Sequence, residues 1–362
     1  MRLGVEAALV DGTLVPGDLE LIDGVVGDAA LGRPGAGIAV PGFVGLQVNG
    51  FAGVDFSAAD AAGYARAGQA LLETGVTAFQ PTLITASEEE LVAALHEVPA
   101  DGGTGPRILG VHLEGPFVSP DALGAHPAAD RRDPDPALLE RLLAAGPVAQ
   151  MTLAPELPGA LELIDVLHER GVVVSLGHSN ATAAEAHAGF DRGARTVTHL
   201  FNAMRPFGHR DPGIAGAALA RDDVVVQLIL DGNHLADEAV QVAWRAARGR
   251  VALVSDAIAA AGIGDGDYRL GSVEIEVRDG VARRADGVLG GSVLTMLDAV
   301  RNLHALGAEL TQAVGAGSTV PARVAGRRLG RLQRGAPADV LILDDRLELR
   351  AVFVGGKERV AA

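Results

Sequence analysis

Several short apolar runs in this sequence end on a polar or ionisable side chain, and those side chains are the types that hydrolytic chemistry uses. Gln47 and Asn49 close one run, and His112 and Glu114 close another. His178, His199, His234 and Asp256 follow further runs downstream. Glu114, His178 and His199 together offer one carboxylate and two imidazoles, a donor set that suits zinc or iron and leaves a position open for water. The amides of Gln47 and Asn49 are poor ligands for such ions. One firm metal site is therefore expected, with these two residues read as remnants of a second. Asp256 is the natural proton shuttle, because a carboxylate beside a metal-acidified water can take its proton and return it to a leaving amine. A lone histidine after a strand is usually an ordinary loop residue. Six coincidences at the same end of successive strands favour function.

The remaining histidines divide by context. His126 and His209 fall in loop-like sequence and are candidates for substrate contact. His112 is expected on the face opposite its neighbours, behind the ligands. His96, His168, His187 and His304 fall in helix-like stretches and are read as surface or core residues.

Composition removes other chemistries. Lys357 is the only lysine, so neither a Schiff base nor a carboxylated lysine bridging two metals can form inside the fold. There is no cysteine, hence no thiolate ligand, nucleophile or disulfide, and the simplest expected compartment is the cytoplasm. The net charge of −16 and the absence of a long basic stretch argue against a nucleic-acid partner. The cluster Arg327, Arg328, Arg331 and Arg334 is read as solvated surface. No apolar run has the length of a membrane span, and residues 1–10 lack the features of a signal peptide.

Positioning these groups requires a repeated strand–helix unit. Candidate strands are Gly42–Val48, Val76–Gln80, Ile108–Leu113, Gln150–Leu153, Val172–Leu176, Thr196–Leu200, Val224–Leu230 and Val251–Ser255. Between them lie Ala/Leu-rich stretches such as Ala61–Thr74 and Ala160–Arg170, stopped near Gly75 and Gly171. Eight such repeats predict a (β/α)8 TIM-type barrel over 40–330, with catalytic groups at the C-terminal strand ends. The alternative, a doubly wound open sheet, lacks its dinucleotide fingerprint. A long helical region is expected over Gly291–Ala325. Residues 1–39 and 331–362 read as short strands and turns, and are expected to join as one discontinuous small β-sandwich domain.

The segments His112-Leu113-Glu114-Gly115-Pro116, Thr152-Leu153-Ala154-Pro155-Glu156, Gly177-His178-Ser179-Asn180-Ala181-Thr182, Thr198-His199-Leu200-Phe201-Asn202-Ala203-Met204, Asp231-Gly232-Asn233-His234 and Ser255-Asp256-Ala257 stand in one order. With Pro41-Gly42-Phe43 and Leu289-Gly290-Gly291-Ser292, that order resembles the N-acetylglucosamine-6-phosphate deacetylases of the amidohydrolase superfamily, from about residue 40 to residue 300. Most amidohydrolases carry His-x-His on the first strand. Gln47-Val48-Asn49 here is similar to the single-metal branch of the deacetylases.

The resemblance implies hydrolysis of the acetamide of N-acetylglucosamine 6-phosphate, in amino-sugar catabolism or cell-wall sugar recycling. It implies one divalent ion per subunit on Glu114, His178 and His199, with zinc preferred and iron, cobalt or manganese accepted. Asp256 would be the acid/base, and His126, preceded by Ala125, would contact the acetyl group. Asn202, Ala203, Leu289, Gly290 and Gly291 would hold the sugar, and Arg210 and His234 the 6-phosphate. It further implies a homodimer in which Arg210 reaches the neighbouring subunit's site. Val118–Arg132 is compact and proline-rich, so the lid around His126 is where a departure from the family is expected. Two rival readings are a deaminase or cyclic-amide hydrolase of the same fold, and a catalytically dead barrel kept as a scaffold.

Overall fold

The computed structural model describes residues 1–32 and 35–361. Residues 33, 34 and 362, which fall within the expected terminal domain, lie outside the described residues. Eight parallel strands follow one another in chain order: β1 (Phe43–Val48), β2 (Val76–Ile84), β3 (Val111–Glu114), β4 (Val148–Leu153), β5 (Val173–Leu176), β6 (Thr196–Val197), β7 (Val225–Leu228) and β8 (Val251–Leu253). The ring closes through the backbone between the ends of β8 and β1. Asp256 N–H donates to the Gln47 carbonyl at 3.1 Å and Asn49 N–H to the Ala257 carbonyl at 2.8 Å. The fold is therefore the expected (β/α)8 barrel, with each strand overlapping its predicted run. The predicted sixth run was longer, because the chain turns out of the sheet at His199 and Phe201, whose φ values are +30° and +75°.

Seven helices connect successive strands: α1 (Ala61–Leu72), α2 (Glu88–Glu97), α3 (Pro136–Ala145), α4 (Ala160–Glu169), α5 (Ala183–Asp191), α6 (Gly213–Leu219) and α7 (Asp237–Ala246). Local chemistry starts them. Ser87 and Thr182 each form a reciprocal capping box with the glutamate three residues on, and Asp60 and Asp135 cap α1 and α3. Gly75 and Gly171 stop α1 and α4 with φ of +83° and +72°, as expected.

The region after β8 holds an element that was not expected. The helical region expected over Gly291–Ala325 consists of three helices, α8 (Met296–Ala305), α9 (Leu310–Gly317) and α10 (Thr319–Val324). The chain breaks at Gly307, with φ of +100°, and turns again at Ser318. Ahead of them stands an antiparallel three-stranded insertion, Gly266–Leu270, Val273–Arg278 and Val281–Arg283. Leu270, Ile275, Val277 and Ala282 on its inner face pack against Ile84, Ala125, Ile258 and Ala260 at the barrel mouth. Its signal was present as the alternation Val273-Glu274-Ile275-Glu276-Val277 between turn residues.

Both ends of the chain meet in a six-stranded sheet. Its order is Thr13–Pro16, Ala7–Val10, Ile38–Pro41, Val340–Leu343, Leu349–Val354 and Lys357–Ala361. The hairpin Leu21–Ile22/Val25–Val26 supplies Leu21 and Val26 to the same small core as Ala8, Ala39, Val340 and Phe353.

Phe43, the first residue of β1, is fully buried beneath this sheet. Its ring lies so close to Gly75 and Gly317 that a Cβ on either would stand 3.0 or 3.4 Å from it. Phe43→Ala should cost about 3–5 kcal/mol through lost burial and a residual cavity. Urea unfolding followed by circular dichroism checks this, and an unchanged midpoint contradicts the packing role.

Candidate metal centre and substrate pocket

Glu114 ends β3, while His178 and His199 stand just past β5 and β6. The three offer ligand atoms that all lie within 4.8 Å of one another, and all three residues are buried. His178 Nε2 and His199 Nε2 approach Glu114 Oε1 to 3.1 and 2.9 Å and each other to 3.0 Å. Gln47 Nε2 donates to the same oxygen at 2.9 Å.

The backbone is forced into shape to achieve this. His178, His199 and Asp256 all occupy left-handed conformations, with φ of +47°, +30° and +50°. Non-glycine residues rarely adopt these, and they concentrate where surrounding structure holds a functional side chain in place. At His178 the restraint is visible. Glu156 accepts hydrogen bonds from Ser179 Oγ at 2.6 Å and Asn180 N–H at 2.7 Å, so one carboxylate pins the turn that carries the histidine. Gly177 must lack a side chain, because a Cβ there would meet Thr152 and Thr198 at 3.0 Å.

The donors fit a divalent cation. His178 Nδ1 lies 3.0 Å from the Ala122 carbonyl, to which it can only donate, so Nε2 carries the lone pair. That lone pair faces a carboxylate oxygen and a second imidazole nitrogen in a buried setting. Burial, reinforced by His126, holds His178 down to about 4. Burial alone would raise Glu114, yet the imidazoles of His126, His178 and His199 around it keep it well below the usual carboxylate range. A neutral imidazole beside an ionised carboxylate is the state that metal ligation requires.

Asp256 stands beside this centre, with Oδ1 accepting from Asn49 Nδ2 at 2.7 Å. Burial, then the charge of Glu114, pushes its carboxyl up to about 6. His126 is buried, with Nδ1 at 2.8 Å from Thr85 Oγ1 and Nε2 at 3.7 Å from Glu114 Oε2. The loop over it, between β3 and α3, contains no helix or strand. Backbone bonds from Ser119 to His178 and from Arg132 to Pro116 tie it down.

A cavity of about 260 Å³ opens above these groups. Asn49, Ala125, Asn202, Ala203, His234, Leu289 and Gly291 all line it. Gly290 lies just behind, where a Cβ would strike Ile275. Asn202 turns its Nδ2 back to the His199 and Leu200 carbonyls, leaving Oδ1 as an acceptor. His234 is held by Asp231, whose Oδ2 lies 2.8 Å from its Nδ1. Burial alone would raise Asp231, but hydrogen bonds from His234 bring it below its ordinary value.

Two expected contacts lie elsewhere in the single chain. Arg210 and His209 are exposed on the loop between β6 and α6 and do not line the cavity. Instead Arg283, from the insertion, is the cation on its wall. Sequence reading missed it, because no strand was assigned there. His112 faces away from its neighbours Val111 and Leu113 and shares the inward face of β3 with Glu114, two residues on. It approaches Thr152 Oγ1 to 2.7 Å in a hydroxyl chain through Thr198 and Ser175, below the ligands.

Comparison with known proteins identifies the family. The amidohydrolase family model matches residues 38–360. An N-acetylglucosamine-6-phosphate deacetylase from Bos taurus is 41% identical over 303 residues, covering 79% of this chain and 74% of the relative. An N-acetylgalactosamine-6-phosphate deacetylase from Escherichia coli O157:H7 is 39% identical, covering 71% of this chain and 69% of its own. Among solved structures, a Mycobacterium smegmatis deacetylase variant in complex with N-acetyl-D-glucosamine-6-phosphate superimposes with TM-score 0.93 and 37% identity, over 100% of this chain and 99% of that one.

The donor set predicts about one tightly held divalent ion per chain, because the Gln47 and Asn49 amides replace strong ligands. Elemental analysis after gel filtration checks this, and two firmly bound ions would refute it. His199→Ala should lose the ion while keeping its circular dichroism spectrum.

Proposed function

The chain belongs to the amidohydrolase family, among its N-acetylglucosamine-6-phosphate deacetylases, and from that membership we propose that it hydrolyses N-acetylglucosamine 6-phosphate to glucosamine 6-phosphate and acetate in amino-sugar metabolism. The observation that carries this reading is the buried Glu114–His178–His199 cluster with a carboxyl, Asp256, beside it. Glu114, His178 and His199 would hold one divalent ion per subunit, preferably zinc, although iron, cobalt or manganese suit the same donors. When bound, that ion supplies the Lewis acidity that acidifies water and polarises an amide carbonyl.

The protein's own groups supply the rest. Asn49 occupies Asp256 Oδ1, leaving Oδ2 to take a proton from the attacking water and return it to the departing nitrogen. A carboxyl near pH 6 is matched to both halves of that exchange. His126, anchored through Nδ1 by Thr85, lines the cavity and would contact the acetyl group of the substrate. Asn202 Oδ1 would accept a sugar hydroxyl, and the backbone around Ala125, Ala203 and Leu289–Gly291 would shape the sugar site. His234, oriented by Asp231, would meet the phosphate.

Arg210 would reach a partner's site in a homodimer. Supporting this, it is exposed on a loop with Pro206, Gly208 and Pro212, close to Phe207, whose surface is 57% exposed. Residues 1–39 and 331–362 would form the small domain and 40–330 the catalytic one. Cytoplasmic residence suits a cysteine-free metabolic enzyme, and no described helix is long and apolar enough to cross a membrane. The Escherichia coli relative favours testing the galactosamine epimer as a second substrate.

Asp256→Asn should lower kcat by about 10²–10⁴-fold with the metal retained, the range typical of general acid–base catalysis. Acetate release by metal-loaded variant measures this, and near-normal turnover refutes the role. Arg210→Ala should impair hydrolysis of the phosphorylated sugar far more than of free N-acetylglucosamine. Mixing Arg210→Ala with Asp256→Asn subunits should restore activity, since one site of each heterodimer is then intact. No recovery in heterodimers verified by mass would place Arg210 in cis or outside the site, leaving Arg283→Ala as the variant that separates phosphorylated from free sugar.

A further inference from the structure

At the N-terminal ends of the barrel strands, away from the metal centre, the fold gathers cations that are far apart in sequence. Arg107, ahead of β3, Arg327 and Arg328, past α10, and Lys357 and Arg359, on the last strand, line one groove of about 660 Å³. Asp101 is the single acid on its described wall, and its Oδ1 already accepts from Gly103 N–H at 2.8 Å. Among the described residues, Arg327, Arg328, Lys357 and Arg359 form no ion pair, whereas nearby Arg334 pairs with Asp28. Arg359 Nε is also shielded from water without an acceptor.

This arrangement opposes the overall balance of the chain, whose net charge is −16. Like charges brought together repel, yet among the described residues no acid pairs with Arg327, Arg328, Lys357 or Arg359. One of its cations is pre-positioned. Arg107 is held by two hydrogen bonds to the buried carboxylate of Asp339, at 2.8 and 3.0 Å, and Asp339 also accepts from Gly355 N–H at 2.8 Å. The carboxylate thus locks the guanidinium against the turn that leads to Lys357.

We propose that this groove binds an organic polyphosphate of nucleotide size. Guanidinium groups match phosphate oxygens in paired hydrogen bonds. The volume falls within the roughly 300–1,000 Å³ of small-molecule sites, and Ile108, Leu109, Leu329 and Val354 add an apolar wall that a bare ion would not use. The acidic remainder of the surface disfavours a long nucleic acid at the same place.

Lys357, as the only lysine, makes the test specific. The intact metal-loaded protein is acylated with an amine-reactive ester in the presence and absence of ATP, with magnesium in excess so that the nucleotide does not strip the active-site ion. Peptide mass spectrometry follows Lys357, with the Met1 amine as internal reference. ATP should slow acylation of Lys357 severalfold and saturably while leaving Met1 unchanged. Arg327→Ser/Arg328→Ser should abolish that protection with its circular dichroism spectrum and metal content preserved. Equal rates with and without ATP in the unaltered protein would overturn the proposal. So would protection that survives in the double variant, or protection by a single-stranded oligonucleotide but not by ATP. None of these outcomes depends on the hydrolytic reaction.

Discussion

Glu114 Oε1 is the point on which the active end of the barrel converges. Two imidazole nitrogens and an amide N–H meet that one oxygen within 3.1 Å, at the buried floor of the cavity. An ionised carboxylate buried there is tolerable only when its charge is balanced. Much of the local architecture serves that requirement. β3 delivers the carboxylate, and left-handed turns after β5 and β6 bend two histidines back over it. The Ala122 carbonyl and the Glu156 clamp fix one of those rings from behind. The same crowding explains why Gln47 differs from a metal ligand in its action. It donates a hydrogen bond to the carboxylate, and so orients Glu114 without competing for a cation.

The fold was legible because a parallel barrel is periodic and its strands are buried on both faces. All eight strands produced apolar runs, and six of those runs are followed by a polar residue that the reading placed on one rim. The candidate metal donors were legible only together, since a histidine or glutamate ending one such run is commonplace and its recurrence at the same end of several runs is not. The Glu156 clamp was visible only as part of a motif, because its partners lie more than twenty residues away.

What stayed hidden involved contacts between distant segments. The insertion after β8 has a period of two, but it falls between the last barrel strand and the helical region and carries no catalytic residue type to draw notice. Arg283 was therefore not connected with the cavity that it lines. The basic groove escaped for a related reason. Arg327 and Arg328 alone resemble a solvated stretch, and only the folded chain places Arg107, Lys357 and Arg359 beside them. His112 was read as standing behind the ligands, but its hydroxyl partners come from other strands and were not legible. In the structure it belongs to a polar layer inside the barrel, bonded to hydroxyls instead of to the ligands.

The six-stranded sheet joins Ile38–Pro41 to Val340–Leu343, so the chain leaves this sheet and returns to it only after the whole barrel. During synthesis, one edge of Ile38–Pro41 stays without its neighbour while roughly 300 residues are added, about 15–60 s at ordinary translation rates. The Ala7–Val10/Thr13–Pro16 hairpin can form at once, but an open strand edge beside it is a template for pairing with another nascent chain. The ribosome thus releases the barrel before its two ends can be fastened together. Closing the sheet is a late, long-range event in the life of each molecule, and crowded polysomes are where this fold is most exposed to mispairing.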